Sequence, residues 1–168
     1  MNLANADVET AGGLKKKIFD WAVKVGREVS VIKQRGGMPS GWLAFKYKLA
    51  TKLVFSKLQA RFGGNLKFFV SGGAPLSREI AEFFHAAGLL ILEGFGLTDT
   101  TAASHVNRLD MYRFGSVGPA LPGVECKIAE DGEVILRGPN IMREYYKKPD
   151  DTRACMTPDG WFHTGDIG

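Results

Sequence analysis

Cysteine is nearly absent from this chain. Only Cys126 and Cys155 occur, far apart and with no second Cys or His at ligand spacing, so neither a disulfide framework nor a zinc site is supported and a reducing compartment fits best. Long apolar runs are missing as well: no stretch reaches the roughly 18 residues that mark a membrane span. The opening MNLANADVET carries Asp7 and Glu9 without an apolar h-region, which argues against a signal peptide and for a cytoplasmic location. Two standard nucleotide motifs are also lacking. SGGAPLS (Ser71 to Ser77) does not end in the Gly-Lys-Ser/Thr of a P-loop, and GFGLTD has no third glycine of the dinucleotide fingerprint. His105 and His163 have no Ser or Cys partner at a recognisable spacing, so no triad is read.

What is present suffices for a folded domain. The 168 residues are 45% hydrophobic and 24% charged, and the 21 Gly and seven Pro cluster beside apolar runs instead of repeating, which excludes disordered, collagen-like and low-complexity classes. Charge is uneven: twelve Lys and Arg stand against four Asp and Glu in residues 1–63, and ten against fourteen in residues 64–168. A basic first third suits nucleic acid or anionic lipid. Its lysines, however, are interleaved with apolar residues at helical spacing, which favours solvated helix faces. It also lacks aromatic interleaving on a strand platform and helix-turn-helix spacing, so no nucleic-acid partner is expected.

Leu14, Ile18, Trp21, Ala22, Val25, Val29 and Ile32 recur at helical spacing and predict an amphipathic helix. Arg35 to Gly41 breaks it, and Ser40 is expected to N-cap a second helix through Leu43, Tyr47, Ala50, Val54 and Leu58, stopping at Gly63-Gly64. Leu66 to Val70 reads as a buried strand. SGGAPLS follows, then a helix capped by Ser77 and ended at Gly88, a strand at Leu89 to Leu92, and a second glycine loop, Glu93 to Thr101. A crossover of this length makes the two strands parallel and brings both loops to the carboxyl edge of the sheet, where open α/β sheets bind ligands. Val124 to Ile128 and Glu133 to Arg137, joined at Glu130-Asp131-Gly132, carry the hairpin signature. The expected fold is therefore α/β: two opening helices, a β-loop-α-β unit with parallel strands, and a small β-rich subdomain. The segments are 1–64, 65–114 and 115–168. The chain stops at Gly168 inside what reads as ordered structure, as expected of a fragment.

Gly72, Gly73 and Ala74 would let a flat ligand approach bare backbone, whose N–H and C=O groups can read an adenine edge; a tight packing turn is the competing reading. In the second loop Phe95 offers an aromatic face and Thr98 a hydroxyl for a phosphate oxygen. Asp99 adds a hard carboxylate suited to Mg²⁺, although for one loop of this composition simple turn capping is the favoured alternative. Asp166, beside Gly165, could accept hydrogen bonds from vicinal ribose hydroxyls. His85, between Phe84 and Ala86, reads as a packed histidine.

Taken together, SGGAPLS, EGFGLTDTT and GWFHTGDIG, in this order and at these separations, resemble the adenylate-forming superfamily, specifically its long-chain fatty acid–CoA ligases. The resemblance extends to GLKKKIFDWAVKVGR and to GSVGPALPGVECKIAEDGEVILRGPNIMREYYKKPDDT, and so covers nearly the whole chain. It implies part of an AMP-binding domain of a ligase using ATP, coenzyme A, Mg²⁺ and a fatty acid, with residues 65–114 the nucleotide-binding unit. Carried over by position, it gives Gly73, Ala74 and Pro75 to the adenine edge, Glu93 and Gly94 to the nucleotide wall, and Phe95 to the adenine face. Thr98 would meet the α-phosphate, Asp99 the metal, with Thr98 and Asp99 the catalytic pair, and Asp166 the ribose. Phe95 stands where tyrosine is commoner and Asp99 where glutamate is commoner, shortening the acid's reach by about 1.5 Å. The upstream pyrophosphate loop and the C-terminal lysine domain of the superfamily are absent, so this stretch alone is expected to be inactive. Within the superfamily, an aryl- or medium-chain-CoA ligase or a peptide-synthetase adenylation domain is the near alternative. Outside it stands a basic module binding an anionic membrane surface, which the opening helices would also allow as a peripheral contact on the inner face.

Overall fold

The computed structural model describes residues 13–168. The opening MNLANADVET, on which the expectation about a signal peptide rests, lies outside the described residues. The chain forms two compact units that take alternate stretches of sequence. One comprises the chain to Ser71 with Leu76–Leu92 and Tyr112–Gly115; the other comprises Gly72–Pro75, Glu93–Met111 and Ser116–Gly168.

The first unit is built on α1 (Gly13–Gln34), the amphipathic helix expected from the spacing. Gly36, at φ 74°, turns the chain after it. α2 (Gly41–Ala50) continues through a π-helical turn, Thr51–Phe55, into α3 (Ser56–Arg61). The wide turn explains a residue that helical counting passed over. An i, i+5 step places Phe55 on the same inner face as Ala50, and both join Ala22, Val25 and Ala87 in the core, flanked by Trp21, Leu43, Tyr47, Val54 and Leu58. Ser40 and Ser77 occupy the N-cap positions of α2 and α4 (Arg78–Ala86), but their side chains make no capping bond. Only their carbonyls serve, accepting from Ala44 N and Ala81 N. β1 (Phe68–Ser71) neighbours β2 (Leu90–Leu97), whose first residues belong to this unit. Phe62, Phe69, Phe83 and Phe84 pack edge to face around its base.

His85 is buried at the centre of a polar relay. Ser30 Oγ lies 2.7 Å from its Nδ1 and Tyr112 Oη 2.9 Å from its Nε2, while Gln34 Nε2 donates to Ser30 Oγ at 3.0 Å. Phe114 meets the ring edge to face, from the same excursion of chain as Tyr112. This is the packed histidine that its apolar neighbours suggested.

In the second unit, β2 does not end at Leu92 as read from the sequence. It runs to Leu97, passes through a 3₁₀ turn (Thr98–Thr100), and pairs antiparallel with β3 (Ala102–Val106). Glycine is unfavourable inside strands, so Glu93 to Thr101 reads as a loop; here Gly94 and Gly96 permit a close backbone approach. A second antiparallel sheet takes β4 (Glu125–Ile128), β5 (Glu133–Arg137) and β6 (Phe162–Ile167) in that order. The Asp131-Gly132 hairpin forms as expected, with Gly132 at φ 89°. GWFHTGDIG, in the expected β-rich subdomain, supplies β6, and Leu136, Val134, Trp161 and Phe162 make the buried face. Lys127 and Arg137 cover the Trp161 ring at 4.0 and 4.6 Å. α5 (Pro149–Cys155) is a short helix between the sheets' strands in sequence. No described helix is long and apolar enough to cross a membrane.

Two predictions follow from the first unit's packing. A Cβ at Gly26 would lie 2.8 Å from Ala86 O and 2.9 Å from Phe55 Cζ. Gly26→Ala, which helix propensity alone would make stabilising by about 1 kcal/mol, is expected instead to destabilise by about 1–3 kcal/mol through overpacking, read as a lowered urea midpoint. Burial, reinforced by the Lys33 charge, lowers the His85 pKa from 6.5 to about 4. The unfolded chain takes up this proton near pH 6.5 and the native chain does not, so stability present above that pH is lost as pH falls toward 4. In an NMR titration the His85 ring should remain neutral at pH 5.

Candidate nucleotide site

The residues singled out from the sequence fall in the second unit, with Gly73, Ala74 and Pro75 on an exposed loop and Gly73 at φ 82°. This loop meets β2: a Cβ on Gly72 would lie 3.3 Å from Gly94 O. The first glycine segment is thereby brought against the second, backbone to backbone. Gly94 pairs with Val106 and Phe95 with His105. The half-buried Phe95 ring lies 6.1 Å from the His105 ring, centroid to centroid. Ser104 Oγ, fully buried, donates to Phe95 O at 3.2 Å and lies 3.0 Å from His105 Nδ1. Burial lowers the His105 pKa below its ordinary value. Glu93 is fixed through its carbonyl, which accepts from Asn107 N at 2.9 Å and Asn107 Nδ2 at 3.1 Å.

Thr98 and Asp99 sit on the 3₁₀ turn at the end of β2, Thr98 exposed and Asp99 half-buried. The turn is organised by Thr100, which is 0% exposed. Its Oγ1 accepts from Leu97 N at 2.9 Å and shares its own proton between Leu97 O and Ala102 O, at 3.0 and 2.9 Å. Thr101 and Ala102 follow at φ 50° and 74°. Two consecutive non-glycine residues in left-handed conformation cost on the order of 1–3 kcal/mol each, and the surrounding hydrogen bonds hold them there.

Sequence reading missed the residues that hold this turn from outside. Asn140 Nδ2 donates to Thr100 O at 3.1 Å, Thr101 Oγ1 donates to Asn140 O at 2.8 Å, and Met142 N donates to Asp99 O at 2.8 Å. The Asp99 carboxylate beside Tyr145, with burial, pushes the phenol up to about 12. Cys155 lies beside Tyr145, its thiol raised by burial and by the Asp99 charge. No short-range signal marks these partners, since the bonds span about forty residues. Asn140 Oδ1 is a buried acceptor without a partner among the described residues.

Asp166 is exposed near the end of β6, in the other sheet of the unit. Its backbone is set by Glu133, whose Oε1 accepts from Gly165 N at 2.7 Å and whose Oε2 lies 2.6 Å from His163 Nδ1. These contacts hold the Glu133 carboxyl below its ordinary range, the His163 bond being the larger cause. Thr164 Oγ1 accepts from Asp166 N at 3.1 Å and donates to Val134 O at 2.7 Å.

An open glycine loop against a second backbone, with a hydroxyl and a carboxylate at the same strand end, is a setting for a phosphorylated, flat-ringed ligand. The model for the family described as AMP-binding enzyme matches residues 32–146. The chain belongs to the AMP-binding enzyme family. It is 38% identical to the long-chain-fatty-acid–CoA ligase FadD15 of Mycobacterium bovis over 99% of this chain, and spans 27% of that protein. Among solved structures, apo MatB from Rhodopseudomonas palustris is similar over 74% of this chain and 27% of its own, at 31% identity and TM-score 0.59. A malonyl-CoA ligase solved with methylmalonyl-CoA and AMP bound is similar over 70% of this chain and 29% of its own, at 34% identity and TM-score 0.56.

The residues present fit the ligands such a family implies. Gly73 has open space where a Cβ would stand, leaving its backbone accessible. No cluster of three or more His, Cys, Asp or Glu able to hold a metal exists among the described residues. Mg²⁺, which is usually held by one or two carboxylates together with substrate phosphates, needs no such cluster.

Thr100→Val, nearly isosteric, would leave Leu97 N–H buried without an acceptor. It is expected to cost about 1–3 kcal/mol, measured by thermal denaturation, with Thr100→Ser recovering most of the loss.

Proposed function

We propose that this chain supplies the nucleotide-binding part of a long-chain fatty acid–CoA ligase. In that reaction a fatty carboxylate attacks the α-phosphorus of ATP to give acyl-adenylate and pyrophosphate, and the thiol of coenzyme A then displaces AMP to form the thioester. The observation that carries the reading is the contact of the Gly72–Pro75 loop with Gly94 on the strand that leads into Thr98 and Asp99. Gly73, Ala74 and Pro75 offer backbone to the adenine edge, Glu93 and Gly94 wall the base, and Phe95 lies against its face. Thr98 donates to an α-phosphate oxygen. Asp99 would hold a divalent cation, which supplies charge neutralisation for the phosphate oxygens. Asp166 accepts from the ribose hydroxyls. Support for the long-chain class comes from coverage: the match to FadD15 takes in 99% of the chain, whereas apo MatB matches 74% and the malonyl-CoA ligase structure 70%.

The test is calorimetric binding of AMP and ATP to this chain. A charge-assisted hydrogen bond to a ribose hydroxyl is worth about 1.5–3 kcal/mol, so Asp166→Ala should weaken AMP binding roughly ten- to a hundredfold. An unchanged affinity in a folded variant would remove Asp166 from the site, and failure of the native chain to bind either nucleotide would remove the reading itself.

A further inference from the structure

Opposite Val134, β6 carries three residues where a regular ladder has one. Ile135 pairs with His163 and Glu133 with Ile167, so Thr164, Gly165 and Asp166 bow out between them as a bulge, with Gly165 at φ 76°. Bulges of this kind re-aim a side chain and are over-represented beside active sites. The backbone groups that the ladder no longer serves are taken up by side chains. Thr164 Oγ1 donates to Val134 O at 2.7 Å and accepts from Asp166 N at 3.1 Å. Glu133 Oε1 accepts from Gly165 N at 2.7 Å, and its Oε2 lies 2.6 Å from His163 Nδ1.

The chemistry of Glu133 matters. An ionised carboxylate only accepts, and does so on two oxygens, so this one side chain holds the main chain inside the bulge and the imidazole of the residue that precedes it. It is also largely covered, its side chain being 16% exposed, whereas Asp166 is exposed. Among the described residues no Lys, Arg or His pairs with the Asp166 carboxylate. One acid of the strand pair is thus spent on shaping the backbone, and the other is left to meet a ligand. An acid whose backbone is already fixed binds without the entropic cost of ordering it.

We propose that Glu133 is a positioning residue: by clamping Gly165 N–H and His163 it holds the Thr164–Asp166 bulge in the shape from which the Asp166 carboxylate accepts from both ribose hydroxyls, and so gives the site its preference for a ribonucleotide over one lacking those hydroxyls. The inference rests on the assignment of Asp166 proposed above.

The experiment measures calorimetric binding of AMP and of 2′,3′-dideoxy-AMP to the full 168-residue chain, and the ratio of the two affinities is the readout. Native protein is compared with Asp166→Ala, Glu133→Ala, Glu133→Gln and His163→Phe, with melting temperatures taken alongside. Asp166→Ala should abolish the ratio. Glu133→Ala is expected to lower it about tenfold, weakening AMP while leaving the dideoxy ligand unchanged. Glu133→Gln, which keeps an acceptor for Gly165 N–H, should retain most of the ratio, and His163→Phe should give a smaller loss than Glu133→Ala. If Asp166→Ala abolishes the ratio and Glu133→Ala leaves it intact, the positioning role is overturned and the Asp166 assignment stands. Should Glu133→Ala weaken both ligands equally, or Glu133→Gln lose as much of the ratio as Glu133→Ala, the clamp is not what aims the acid and the proposal is overturned. Where Glu133→Ala fails to fold, His163→Phe decides: a lowered ratio supports the clamp and an unchanged one overturns it. A ratio that survives Asp166→Ala, or is missing from a native chain that binds AMP, overturns the Asp166 assignment and the proposal with it. A native chain that binds neither ligand overturns the nucleotide reading and the proposal together.

Discussion

At Gly96 the backbones of β2 and β3 approach so closely that a Cβ would lie 1.7 Å from the Ala102 carbonyl oxygen. A residue without a side chain is the one that tolerates this, and much of the second unit depends on it. The pairing shifts register between Phe95 and Gly96, with Ser104 the extra residue on β3, and the strands are joined through left-handed backbone at Thr101 and Ala102. That short return brings Thr100 inward, where its hydroxyl meets Leu97 and Ala102, and leaves Thr98 and Asp99 on the outer side of the turn. Gly118 repeats the device on the far side of β3, where a Cβ would stand 2.4 Å from Asn107 N. Two glycines thus set the spacing of three adjacent backbone segments, and the polar side chains of the candidate site take their positions from that spacing.

Local patterns in the sequence were sufficient for some elements. α1 shows in its apolar spacing to within a residue or two of its ends, and β5 is the run Glu133–Arg137 read from the Asp131-Gly132 signal. Where the reading departed, the cause lies in interactions local pattern does not encode. Glycine at 94 and 96 means loop by propensity and strand by packing. Phe55 falls off a regular helical stripe because the helix itself is irregular there. Ser40 and Ser77 have the chemistry of N-caps, yet only their backbones serve. In the candidate site, the named groups stood in recognisable motifs, whereas Asn140 and Glu133 act through contacts about thirty to forty residues distant. Such partners become visible only when the chain is folded.

The two units satisfy their buried polar groups in different ways. His85 is surrounded by hydroxyls and an amide, all neutral and all able to serve as donor or acceptor, so the ring gains hydrogen bonds without gaining a charge. Around Asp99 and Asp166 the supporting contacts come largely from backbone groups and from neutral or internally paired side chains. Acids held this way are suited to ligands that bring their own donors or cations.

The interleaving of the units has a consequence for how the polypeptide acquires its structure. Tyr112 and Phe114 belong with helices laid down before residue 90, although the chain visits the other unit in between. Neither unit is a continuous stretch, so on a ribosome the first one cannot be completed when its helices emerge. His85 must wait, one ring nitrogen without its partner, until residue 112 has been added and a loop of over twenty residues has closed. Closing such a loop adds entropic cost only slowly with length, but it makes synthesis order matter: the aromatic face that Phe114 covers stays open during that interval, as a surface for chaperones or for self-association.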